Sequence, residues 1–99
     1  MIIVAGFIEV AEAGAETAAS IARTMMAETR REAGCVVYDI TRSLERPGRF
    51  HVYEEWETPA ALEAHFETPH MKVFRQGLAD LTVIERAVTR REGGAATAL

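Results

Sequence analysis

Residues 2–10, IIVAGFIEV, are apolar at almost every position, the pattern of a strand covered on both faces. From Ala15 to Ala33 the period changes. Ala18, Ile21, Met25 and Thr29 recur at spacings of three and four, which predicts a helix, and Gly34 follows where a helix-ending glycine belongs. CVVYDITRS, 35–43, predicts a second strand. Pro47-Gly48 predicts a turn, because proline presets φ and glycine accepts positive φ. FHVYEEWE, 50–57, alternates as the returning strand. Thr58-Pro59 and Thr68-Pro69 each read as an N-cap followed by a first-turn proline. They open helices that run to about Glu67 and Leu78. LTVIERAV, 81–88, predicts the last strand.

The order β-α-β-β-α-β predicts an α+β, ferredoxin-like domain, an antiparallel sheet with its helices on one face. We expect a single domain over residues 1–90 and a flexible tail over 91–99. The uncovered face does not alternate cleanly to polar. The first strand places Ile2, Val4 and Ile8 on one side and Ile3, Ala5 and Phe7 on the other. The second offers Val36, Tyr38 and Ile40 against Cys35 and Val37. An open apolar sheet face predicts a homodimer packed sheet to sheet.

Composition narrows the partners. The 99 residues carry a formal charge of −4, which disfavours nucleic acid and anionic membranes. No apolar run approaches the ~20 residues of a membrane span, and the N-terminus lacks the basic region of a signal peptide. The single cysteine, Cys35, fits a reducing cytoplasm and reads as an inert thiol.

Candidate chemistry gathers in FHVYEEWETPAALEAHFETPH, residues 50–70, which holds all three histidines and the one tryptophan. Period two places Phe50, Val52, Glu54 and Trp56 on one face, and His51, Tyr53, Glu55 and Glu57 on the other, dimer side. A carboxylate between valine and tryptophan needs a partner, or its pKa rises. Leu62, His65 and Phe66 share a helix face that must pack on the sheet. His70 and Phe74 are neighbours on the next helix. Glu54, Trp56, His65 and His70 are therefore expected to converge between sheet and helices. Taken singly, a buried histidine, glutamate or tryptophan is more often part of the core. A metal site is not expected, because Pro69 interrupts the helical spacing of His65 and His70. Ser20, Ser43 and Cys35 lack a nucleophile signature, and no glycine-rich phosphate loop is present.

REAGCVVYDI, FHVYEEWETPAALEAHFETPHMKVF and the β-α-β-β-α-β plan resemble the antibiotic biosynthesis monooxygenase family, and within it the small quinol monooxygenases. The likeness covers residues 2–88. Its most specific part is Glu-x-Trp followed by Ala-His-Phe and Thr-Pro-His. The resemblance implies a dimeric α+β barrel and a pocket between sheet and helices. It also implies oxidation of electron-rich phenols or hydroquinones by O2 without metal, flavin or haem. It places the strand glutamate at Glu54, the aromatic at Trp56 and the helix histidines at His65 and His70. Val52 and Leu62 stand where polyketide-tailoring members have asparagine and tyrosine. The asparagine near Phe7 and histidine near Arg75 of the haem-degrading branch are missing.

On this reading His65 is the expected base, Glu54 orients it, and Trp56, Phe66, Phe74 and His70 line or close the pocket around a small aromatic substrate. The same groups also fit a proton-shuttling isomerase of a small metabolite. If that metabolite is phosphorylated, Arg42, Arg49, Lys72 and Arg75 are its candidate cations. A non-catalytic ligand-binding dimer is the third reading.

Overall fold

The computed structural model describes the whole chain, Met1–Leu99. Its strands are β1 (Ile2–Val10), β2 (Cys35–Arg42), β3 (Arg49–Trp56) and β4 (Val83–Glu92). Its helices are α1 (Ala15–Thr29), α2 (Pro59–Phe66) and α3 (Pro69–Ala79), with one 3₁₀ turn at Glu12–Gly14. The sheet is antiparallel in the order β2-β3-β1-β4, the ferredoxin-like arrangement.

The threonine-proline starts form as expected. The Thr58 hydroxyl accepts from Ala61 N at 3.1 Å and Thr68 from Met71 N at 3.3 Å, each with proline in the first turn. The Thr68 hydroxyl also donates to the His65 carbonyl at 2.8 Å, which ties the end of α2 to the start of α3.

Three local readings change. First, α1 ends at Thr29, four residues before its expected end at Ala33. Residues 30–34 form a turn closed by Glu32 N to the Thr29 carbonyl and Cys35 N to the Glu32 carbonyl. Gly34 ends this turn at φ 82, and a Cβ there would meet the Ala61 Cβ at 2.6 Å. Only glycine lets the turn lie this close to α2. Second, a bulge at Val36 puts Cys35 opposite Trp56 and Val37 opposite Glu55. Cys35 thus joins the helix-covered side, and Val36 is 47% exposed. Third, β4 begins at Val83 and continues to Glu92, four residues past its expected end. Gly6 holds it close: at φ 151 it lies where a Cβ would meet the Ala87 carbonyl at 1.9 Å.

Buried side chains form two clusters on the helix side of the sheet. One joins Ile2, Val4, Met25, Tyr38, Trp56 and Leu62; the other joins Ile8, Val10, Ala18, Ala19, Phe50 and Leu78. The alternation of β3 holds: Phe50, Val52, Glu54 and Trp56 are buried, while His51 and Tyr53 are exposed. On the open face Ile3, Ala5 and Phe7 are half-buried. Arg49 lies 3.9 Å over the Phe7 ring and joins Arg46 on the buried Glu9 carboxylate. All ten residues of β4 are exposed. No helix is long and apolar enough to cross a membrane.

Candidate active site

A cavity of about 610 Å³ lies between the sheet and the helices α2 and α3. Its walls are mainly apolar: Val4, Ile8 and Val52 from the sheet, and Phe66, Phe74 and Leu78 from the helices. Its volume falls within the ~300–1,000 Å³ typical of small-molecule sites.

Glu54 is the single carboxylate in that wall. Trp56 Nε1 donates to Glu54 Oε1 at 2.8 Å, a contact between two side chains of one strand face. Glu54 is 6% exposed, and burial is the main cause that pushes its carboxyl up to about 7. The Trp56 hydrogen bond opposes the shift and the negative charge of Glu32 adds to it. Tyr38 stands directly opposite Glu54 on β2 and also borders the cavity. Burial, then the charges of Glu54 and Glu32, raise its pKa and keep the phenol protonated.

The expected hydrogen bond between Glu54 and His65 does not form. The carboxylate partner of His65 is Glu32, in the turn after α1: His65 Nδ1 lies 2.7 Å from Glu32 Oε2. His70 Nε2 lies 2.7 Å from the same oxygen. A carboxylate oxygen accepts, so His65 carries its proton on Nδ1. Its Nε2 is buried without a partner. Burial lowers the His65 pKa, against the pull of Glu32, so the ring is neutral at neutral pH.

His65 is 1% exposed and stacks behind Trp56, with ring centroids 4.9 Å apart. Neither His65, His70 nor Trp56 borders the large cavity. His70 borders a second groove of about 350 Å³ between α1 and α3. The series His65–Glu32–His70 therefore runs from a fully buried ring to one beside an outer groove.

The structure thus sorts the expected site residues into two groups. Glu54, Phe66 and Phe74 meet the cavity, whereas Trp56, His65 and His70 form its support. Glu32, Tyr38 and the β4 arginines Arg86 and Arg90 complete the picture and were not singled out in the sequence. Tyr38 had one usable signal, its place in the strand that must pair with β3. Of the four candidate cations only Arg75 reaches the cavity. Arg42 pairs with Glu16, and Arg49 lies on the open sheet face with Glu9.

Pro69 does not keep the two histidines apart, because Glu32 bridges them. Glu32, His65 and His70 bring three potential metal-ligating atoms within 4.8 Å of one another. Two nitrogens at 2.7 Å from one oxygen are also satisfied as two charge-assisted hydrogen bonds.

Comparison with known proteins shows the family. Residues 1–77 match the family described as "Antibiotic biosynthesis monooxygenase". "Putative monooxygenase YcnE" of Bacillus subtilis is 30% identical over 74 residues, covering 75% of this chain and 78% of that protein. "Uncharacterized protein sll1783" of Synechocystis is 32% identical over 80 residues, 81% of this chain; the match spans only 54% of that longer relative. A structure described as a "putative antibiotic biosynthesis monooxygenase" from Deinococcus radiodurans superimposes with a TM-score of 0.93 at 26% identity. The match covers 100% of this chain and 98% of that one. One of the same description from Nitrosomonas europaea gives 0.87 at 28%, covering 94% and 98%. The chain belongs to the antibiotic biosynthesis monooxygenase family.

Proposed function

We propose that the protein is a cofactor-independent monooxygenase that oxidises an electron-rich phenol or hydroquinone with O2 to a quinone. The observation that carries this reading is Glu54: a carboxyl with a pKa near 7 in the wall of a cavity large enough for aromatic rings. A general base is most useful when its pKa is close to the working pH.

In this mechanism Glu54 takes the phenolic proton, and the electron-rich ring anion adds O2 at a hydrogen-bearing carbon, opposite the hydroxyl in a simple phenol and beside it in a hydroquinone. The ring reduces O2 to a bound peroxide, which takes the proton back from Glu54. Glu54 then removes the hydrogen from that carbon while the O–O bond breaks. One oxygen stays as the new carbonyl; the other leaves as hydroxide, takes the proton from Glu54 and departs as water, which restores the carboxylate. Tyr38, held neutral, donates a hydrogen bond to the substrate oxygen. The apolar walls exclude water from the reactive intermediates.

His65, first expected to be the base, takes a supporting role in this reading. With Glu32 and His70 it fixes the ring behind Trp56, and Trp56 holds Glu54. The support is geometric: His65 is fully buried and lies outside the cavity wall. We further propose that the protein works as a homodimer through the open sheet face, with Ile3, Ala5, Phe7 and Tyr53 in the contact. A monomer in sedimentation at micromolar concentration would remove that part.

Oxygen uptake with a panel of phenols and hydroquinones tests the reaction. Glu54→Gln should reduce turnover by about 10²-fold or more. A proton-shuttling isomerase would use the same carboxyl but consume no O2. Absence of oxygen uptake with every substrate would therefore replace the monooxygenase reading with the isomerase or ligand-binding one.

A further inference from the structure

The cavity has a second chemical character, opposite to Glu54. Three arginines border it: Arg75 from α3, and Arg86 and Arg90 from β4. This is a concentration of positive charge in a chain whose formal charge is −4. Arg90 is committed, since its guanidinium pairs with Glu63 at 2.8 Å. Arg75 donates to the Phe66 carbonyl at 3.2 Å, which fixes its direction without neutralising it. Arg86 has neither role, and Glu54 is the single acidic group in the same wall.

The register separates the two characters. Glu54 is opposite Val4 and Val4 is opposite Arg90, so these three form one row across the sheet. Arg86 is opposite Ile8, four positions further along β1. With ordinary strand spacings, Arg86 starts about 10 Å across and about 13 Å along the sheet from Glu54. Neither Arg75 nor Arg86 is among the charges that move the Glu54 carboxyl. Val4, Ile8, Val52 and Val88 floor the space between. A single benzene ring fills only a fraction of about 610 Å³.

We infer that the substrate is an extended aromatic acid, with its reacting ring at Glu54 and a carboxylate or phosphate group at Arg86 and Arg75. The inference rests on the cavity being the substrate site, as proposed above. Arginine is suited to this task because its planar fork matches both anions and stays charged at any working pH. A cationic end over an apolar floor also draws anions into the cavity and sets which way round they enter. Arg86 and Arg75 are then specificity residues, and the neutral phenols that suit Glu54 alone are poorer ligands.

The test needs no oxidation. Naphthalene-2-carboxylate, 2-naphthyl phosphate and the neutral naphthalene-2-carboxamide are titrated into the full-length protein by calorimetry. At least one anion should bind about tenfold or more tightly than the carboxamide. The preferred anion identifies which group the site takes. The preference should fall to within about threefold in Arg86→Gln, fall further in the double variant with Arg75→Gln, and survive in Arg91→Gln, whose site is on the opposite face beside Ile3. These arginines are exposed, so the variants keep the fold, which circular dichroism verifies. Equal binding of acid and amide, or a preference that survives the double variant, overturns the inference and leaves the cavity reading standing. Failure of all three probes to bind overturns the cavity reading itself.

Discussion

Trp56 Nε1 donates to Glu54 Oε1 at 2.8 Å, so the carboxyl proposed as the base is held by the residue two positions along its own strand. The indole favours the ionised carboxylate and opposes the effect of burial. Trp56→Phe removes the donor and keeps most of the apolar bulk. The pH at which kcat/KM levels off should move from about 7 upward by about one unit, the worth of one buried hydrogen bond. A pH–rate profile checks this, and an unchanged inflection would show that Glu54 is not the group being titrated.

Glu32→Gln should move the same inflection the other way. The Glu32 charge raises the Glu54 pKa, so its removal lets Glu54 ionise at lower pH. The substitution also takes an anionic acceptor from two histidines, and a loss of about 1–3 kcal/mol in stability is expected. Nitrogen NMR of the imidazoles supplies a separate reading: His65 should lose its fixed Nδ1–H form.

Glu54 also makes stability depend on pH, with a definite sign. Its folded pKa of about 7 lies above the ordinary 4.5, so the native state holds a proton that the unfolded chain releases between those values. That contribution is complete below pH 4.5 and is lost as pH rises through 7. Glu54→Gln, which cannot ionise, should gain stability relative to the parent across this window, by up to about 3 kcal/mol at the alkaline end. His65 acts oppositely. Its lowered pKa means that stability falls as pH drops below 6.5, where the unfolded ring takes up a proton. Denaturant titrations of parent and Glu54→Gln at several pH values separate the two.

Chelation tests the alternative use of Glu32, His65 and His70. Two histidines and one carboxylate can form the facial set of an oxygen-activating metal. If the three act as a hydrogen-bonded support, oxygen uptake should survive dialysis against EDTA within about twofold. The proposal that the protein needs no cofactor fails if activity is lost on chelation and returns with a single divalent ion.

The plan of the domain could be read from residue patterns because its signals are local. Thr58-Pro59, Thr68-Pro69 and the period-two faces of β3 depend on near neighbours, and they hold in the structure. Glu32 was not legible for the same reason: the alanine-rich period runs on through Ala33, and no residue before Gly34 marks a stop. The helix nonetheless ends at Thr29, and this frees Glu32 to reach across to α2 and α3. The Val36 bulge was hidden within Cys35, Val36 and Val37, where each residue is apolar and either register looks alike. Arg86 and Arg90 were not identified because their role depends on how far an edge strand extends over a cavity built by other elements.

That edge strand divides the molecule's constraints. None of its ten residues is buried, yet Arg86, Val88 and Arg90 shape one wall of the cavity. Exposed substitutions usually cost within ~0.5 kcal/mol, so a lineage can rewrite this wall with little effect on folding. The buried rows of β1 and β3 have no such freedom. The scaffold can be inherited while ligand choice drifts, one outward-facing strand position at a time.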